Sequence, residues 1–212
     1  MSPVAQECSS PQSWRTGAPT GAEDTRSAAL ARNIARPSGG ACDDGRMSAR
    51  EKKDLLAETD RLREEGRAGE AREKLLALTA RFPDDAEVAY RTAWVHDVLG
   101  LESEAVAYYE RSLAGTGLGA EERRGALLGL GSTYRVLGRY GQAVETLRGG
   151  VEEFPDDGAL KTFLAMALFN TEEHHEAMRL LLRLVASTSD DPYVQQYRPA
   201  IEHYAKDLDE TM

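Results

Sequence analysis

Residues 124–157 read RGALLGLGSTYRVLGRYGQAVETLRGGVEEFPDD. Apolar residues recur at helical spacing on both sides of Gly138: Leu127, Leu130, Tyr134 and Leu137 before it, Ala143, Val144, Leu147 and Val151 after it. Gly138 can take the left-handed backbone that closes the first helix. Pro155 stops the second helix because it lacks an N–H, and Asp157 can accept the free N–H groups of the helix that follows. The stretch is therefore a pair of helices joined by a tight turn.

The same marks recur along the chain. A glycine followed five residues later by alanine occurs as Gly66/Ala71, Gly100/Ala105 and Gly138/Ala143, and a fourth copy has Glu172 before Ala177. Phe-Pro-Asp-Asp occurs at 82–85 and at 154–157, each time at the same offset from the preceding alanine. Two independent markers thus agree on one frame, with a step of 34 residues between the first and second alanines, 38 between the second and third, and 34 again to the fourth. The long step carries four extra residues near Gly115–Ala120, about one helical turn, which lengthens a helix or its loop.

On these residues the chain resembles the tetratricopeptide-repeat family, whose period is 34 residues. The 124–157 unit matches best, with Leu127, Leu130-Gly131, Tyr134, Gly138-Arg139-Tyr140, Ala143, Leu147 and Pro155; the second unit carries Ala89, Thr92-Ala93, His96, Gly100, Ala105 and Tyr109. The resemblance implies an all-α, right-handed superhelical solenoid of about four repeats, and a non-catalytic surface for binding a protein or peptide. It looks like the compact bacterial members in which repeats make up most of the chain. Some family members hold a C-terminal carboxylate with a Lys/Asn/Arg clamp; the corresponding places here are Leu56, Asp60, Tyr90, Trp94 and Leu128, so that clamp is missing.

The domain boundaries that follow are 1–49 for a disordered N-terminal segment, 50–190 for the repeats (units 52–85, 86–119, 124–157 and 158–190), and 191–212 for a C-terminal capping helix and tail. Residues 1–46 are rich in Ser, Pro, Gly, Ala and Thr and lack an apolar period. The abrupt change of character at Met47 makes it the expected native start. In the last segment Tyr193, Tyr197, Ile201 and Tyr204 recur at helical spacing, as expected of a helix covering the solenoid's final apolar face; Pro199 sets its start near Arg198.

The 212 residues carry 26 basic and 36 acidic side chains, a formal charge of −10. Residues 1–46 hold five of each sign, so the excess lies in the repeats, which argues against nucleic acid or an anionic membrane as the main partner. No run of 18 apolar residues exists, and a secretory leader pattern is missing, so a cytoplasmic location is expected. Both cysteines, Cys8 and Cys42, precede the repeats, whose stability must come from packed apolar faces.

Binding is expected on the inner face. In the second unit Ala89, Ala93, His96 and Leu99 form a packing row, while Tyr90, Trp94 and Asp97 share an offset face at i, i+4, i+7. The corresponding residues are Leu56, Asp60 and Arg63 in the first unit, Leu128, Ser132 and Arg135 in the third, and Thr162, Met166 and Phe169 in the fourth. The expected groove residues are Tyr90, Trp94, Asp97, Leu128, Arg135, Thr162, Met166 and Phe169. Their aromatic and methionine side chains suit a helix or an extended peptide, and filling the solenoid's own core is their other reading. Alternative occupants are a second copy of the chain, giving a structural homo-oligomer, and the chain's own C-terminal helix. A regulatory subunit with a small-molecule site is the reading from another class.

Signals that mimic chemistry are weaker. Gly115-Thr-Gly-Leu-Gly119 and Gly129-Leu-Gly131-Ser132 follow no strand and lack the lysine of a nucleotide loop. Glu172-Glu-His-His-Glu176 has metal-ligand residue types, but its adjacent histidines point to different sides of a helix, and the run replaces a turn. His96, where the third unit has Tyr134, reads as a hydrogen-bonded core residue. No cofactor or metal is expected. Gly125, Gly129, Gly131, Gly149 and Gly150 lie within the third unit's helices, which makes that unit read as a soft joint, unless Gly131 and Gly150 serve close helix approach.

Overall fold

The computed structural model describes residues 48–211; the expectations for residues 1–47, including the disordered segment and its cysteines, lie outside them. Ten helices run through the described residues: α1 (Ala49–Glu64), α2 (Ala68–Arg81), α3 (Ala86–Val98), α4 (Glu102–Ala114), α5 (Ala120–Val136), α6 (Tyr140–Glu153), α7 (Gly158–Asn170), α8 (His174–Thr188), α9 (Pro192–Gln196) and α10 (Arg198–Tyr204). The first eight form four antiparallel hairpins. Together they make a right-handed superhelical solenoid, and α10 packs on α8 at its end.

Short-range chemistry sets the helix ends. Each first helix closes on a left-handed residue: Gly66 (φ 77°), Gly100 (71°), Gly138 (74°) and Glu172 (67°). The next N–H in each turn (Arg67, Leu101, Arg139 and Glu173) then reaches back to the carbonyl five residues earlier, at 2.8–2.9 Å. Phe82 and Phe154 precede prolines, which keep them out of the helical region, and hold nearly identical conformations (φ −129°, ψ 66° and φ −126°, ψ 72°). Asp85 and Asp157 then cap α3 and α7, accepting from the N–H groups of Val88 (3.0 Å) and Leu160 (2.7 Å).

Packing between hairpins decides the curvature. Consecutive helices touch throughout, and α1 also meets α3, α3 meets α5, and α5 meets α7. Among the described residues no such contact joins α2 to α4 or α4 to α6. First helices adjacent and second helices splayed mean that the stack bends with the first helices inside. Small buried residues allow the close crossings: Ala71, Ala105, Ala143 and Ala177 on the second helices, Ala93, Gly131 and Ala165 on the first. A Cβ on Gly131 would stand 2.4 Å from Leu147 Cγ.

The structure revises several expectations. The four-residue insert is an added turn: α5 spans 17 residues, whereas α3 and α7 span 13 each. Four of the five third-unit glycines singled out above are slots for neighbours: besides Gly131, Cβ atoms at Gly125, Gly129 and Gly150 would stand 2.2 Å from Tyr90 Oη, 2.4 Å from the Tyr109 ring and 2.9 Å from Leu160. Of those five only Gly149 faces open space, as does Gly141 at the start of α6, so close approach accounts for the other four. Leu99 leaves the packing row; it caps α3 and is 38% exposed. The cap hides little aromatic surface, because Tyr193, Tyr197 and Tyr204 are exposed while Ala205 is buried. The reason is that α9 and α10 are separate short helices broken at Tyr197, so the four spaced residues never share one continuous face.

Two expected outcomes follow. Glu172 is the one described non-glycine residue with positive φ, so Glu172→Gly removes strain and should raise stability by about 1 kcal/mol, roughly 2–4 °C in thermal midpoint. His96 is buried; its Nδ1 lies 2.7 Å from the Thr92 carbonyl and its Nε2 accepts from Arg72 Nε at 3.1 Å, the pairing of a neutral ring. Burial foremost, with the Arg72 charge adding, holds its pKa below the ordinary value against the opposing Thr92 bond. The unfolded chain therefore takes the proton first: this stability is complete above pH ~6.5 and is lost as pH falls through the lower folded value. Urea titrations from pH 7.5 to 5 should show a shallower pH slope for His96→Gln than for wild type.

Candidate protein-binding groove

The inner face is built from matching positions of the four first helices. On α3, Tyr90 and Trp94 are half-buried and stacked, with ring centroids 6.0 Å apart at 27°. Tyr90 also leans on Tyr109, 6.5 Å away, and burial pushes its hydroxyl pKa up against nearby arginines. The Arg63 guanidinium from α1 lies 3.4 Å from the centroid of the Trp94 ring, a cation–π contact worth about 1 kcal/mol when partly desolvated. Trp94 thus presents one face to Arg63.

Around this pair runs an ion network that was not expected from the sequence. Arg91 pairs with Asp60 across the hairpin boundary and with Glu87 at 2.9 Å on its own helix, while Asp60 also lies 3.8 Å from Arg63. Burial works to lower the Arg91 pKa, but Glu87 and Asp60 outweigh it and raise it. A related tie recurs at the unit ends, where Lys52 meets Asp85 at 2.6 Å and Arg124 meets Asp157 at 2.9 Å. Both pairs are 33 residues apart and occupy equal positions in the repeat frame, a signal that sequence alone contained. Burial raises the Asp85 pKa, but the hydrogen bonds from Lys52 and Val88 prevail and hold it below the usual carboxylate value.

Asp97 has an internal task. It accepts from Tyr109 Oη at 2.8 Å and from Thr133 Oγ1 at 2.9 Å, tying α3 to α4 and α5. Leu128 is half-buried and packs against the core. Arg135 donates from Nη1 to Asn170 Oδ1 at 3.4 Å, and its Nε is buried without a partner. Thr162 turns its hydroxyl back to the Gly158 carbonyl at 2.7 Å. Met166 is half-buried, and Phe169 is 64% exposed with its ring 4.9 Å from that of His174. Among the expected groove residues, Asp97 and Thr162 therefore spend their polar atoms within the fold.

Elsewhere, Glu173 and Glu176 pair with Arg148 at 2.7 and 3.0 Å, and the His174–His175 run opens α8. Among the described residues no group of three or more His, Cys, Asp or Glu side chains is arranged to hold a metal ion, and no helix is long and apolar enough to cross a membrane.

Stacked helical hairpins with a curved inner row define the class of helical-repeat binding solenoids. The tetratricopeptide-repeat family model matches residues 86–208, and the chain belongs to that family. Its fold and family make it a protein-binding repeat module. Among solved structures it is similar to MamA residues 41 to the end from Desulfovibrio magneticus RS-1, at 18% identity over 74% of this chain and 97% of that one, with a TM-score of 0.53. A MamA RS-1 ArsTM double mutant is similar at 18% identity over 74% and 96%, with a TM-score of 0.54. These two likenesses bear on the fold. No curated protein matches the chain in sequence.

The Asp97 contacts generate a direct test. Asp97→Ala removes the carboxylate to which Tyr109 Oη and Thr133 Oγ1 donate, leaving Thr133 the Gly129 carbonyl, and should cost about 2 kcal/mol in urea unfolding. Asp97→Asn, which keeps an acceptor oxygen, should cost less.

Proposed function

We propose that this protein binds an apolar peptide or helix of another protein along the inner face of its first helices, without catalysing a reaction. The observation that carries this reading is the stacked Tyr90–Trp94 pair, half-buried on the inner row and braced by Arg63. A rigid aromatic surface loses little conformational freedom on binding, which is why Trp and Tyr dominate interface energetics. Met166 and Phe169 extend the apolar surface toward the fourth unit, where methionine adapts to ligand shape.

The small-molecule reading is less well supported. A hollow of about 180 Å³ beside α8, lined by residues that include His175, Arg179, Lys206 and Asp207, is smaller than the ~300 Å³ at which ligand pockets begin, and it does not include the groove residues. The acidic charge accords with a protein partner rather than nucleic acid, and burial of the groove by a second copy is the competing arrangement.

Selection of displayed 12-residue random peptides on the full chain tests the proposal. A Trp14→Phe background leaves Trp94 as the sole tryptophan, so its fluorescence reports occupancy of the groove. Selected peptides should shift that emission, and Trp94→Ala should weaken them roughly 30-fold, the effect of a ~2 kcal/mol hot spot, while circular dichroism stays helical. Peptides that bind wild type and Trp94→Ala equally would place the interaction elsewhere. Light scattering showing a concentration-independent dimer with Trp94 emission unresponsive to peptide would favour the self-buried arrangement.

A further inference from the structure

Arg135 stands apart on the inner row. Its equivalents along the solenoid are Arg63, Asp97 and Phe169, and the charged ones among them are compensated within the fold. Arg63 lies on Trp94 beside Asp60, and Asp97 accepts from Tyr109 and Thr133. Arg135 makes no ion pair among the described residues; its single polar contact is the long bond to the neutral Asn170 amide, and its Nε is buried with no acceptor. A guanidinium held partly out of water without a carboxylate is an electrostatic deficit that a bound anion would fill.

Its surroundings point to the kind of anion. The Asn170 contact brings the guanidinium to the end of α7, where Phe169 is 64% exposed and Met166 lies one turn earlier on the same face. Two residues beyond Asn170, Glu172 holds a left-handed backbone that its three counterparts leave to glycine, and strain of that kind concentrates at sites kept for recognition. The chain's charge of −10 disfavours a strongly acidic partner at a distance, but screening beyond about 8 Å leaves a single contact pair unaffected. One carboxylate in an otherwise apolar segment satisfies both conditions.

We propose that the groove between the third and fourth units recognises an internal Asp or Glu side chain of an apolar peptide segment, with Arg135 pairing the carboxylate and Met166 and Phe169 receiving the neighbouring apolar side chains. This rests on the peptide-binding reading above and adds the chemistry of the partner.

A double-mutant cycle tests it on the full chain. The probes are synthetic fluorescein-labelled peptides from the 12-residue selection, acetylated and amidated at their ends, titrated against wild type, Arg135→Gln and Trp94→Ala. Selected sequences should share an Asp or Glu within a few residues of Leu, Met or Phe. Arg135→Gln, or Asn/Gln in place of the peptide's acid, should each weaken binding roughly tenfold, and the two together should weaken it little further. Independent, additive losses would show that Arg135 does not meet that carboxylate and would overturn the proposal. So would binding that needs a free C-terminus and vanishes on amidation. If Trp94→Ala abolishes binding while Arg135 and the peptide's acid are dispensable, the groove reading survives and the carboxylate assignment falls. If no peptide is selected, or none of the variants alters affinity, both readings fail.

Discussion

The fold depends on how closely two helices of a hairpin can cross. Where α1 to α8 pair, alanine or glycine occupies the crossing, and larger residues interlock above and below it. A single hairpin leaves one apolar side open to water; stacking the next hairpin covers it, so stability is largely a sum over neighbours. The third unit shows the constraint most sharply. Tyr90, Tyr109, Leu147 and Leu160 enter spaces that exist only because Gly125, Gly129, Gly131 and Gly150 lack a Cβ. The helix propensity forfeited at each glycine is offset by the large side chain it admits.

Polar contacts then fix the register between hairpins. Lys52–Asp85 and Arg124–Asp157 use an aspartate that already caps the next helix, so one carboxylate serves a helix start and an inter-unit tie. At the junction of the second and third units neither partner is present, since Ala86 and Gly119 stand in their places. There α5 begins a turn early, and Asp97 reaches Thr133 instead. The inserted turn thus coincides with a change in how the units are tied.

The inner face inherits its character from these demands. Between the first and second units its charges are neutralised internally by Asp60, Arg63, Arg91 and Glu87, which leaves the half-buried Tyr90–Trp94 stack as its aromatic feature. Between the third and fourth units the neutralisation is incomplete at Arg135, and an aromatic ring stands open beside it. Among the described residues, the first helices therefore carry a braced aromatic pair in the second unit and an unpaired guanidinium in the third.

The sequence by itself determined the period, the four hairpins, the left-handed turn positions and the aspartate caps, because each depends on residues within a few positions of one another. Even Glu172 was legible as the occupant of a glycine site. The start of the last helix near Arg198 was legible from Pro199, but the exposure of Tyr193, Tyr197 and Tyr204 was not, because helical spacing does not say which face a neighbour covers. Only the tertiary structure decided that Asp97 turns inward to Tyr109 and Thr133, that Arg63 covers Trp94, and that Arg135 finds no carboxylate. Those outcomes join residues 12 to 36 positions apart, where side-chain direction and helix crossing, rather than local preference, select the partner.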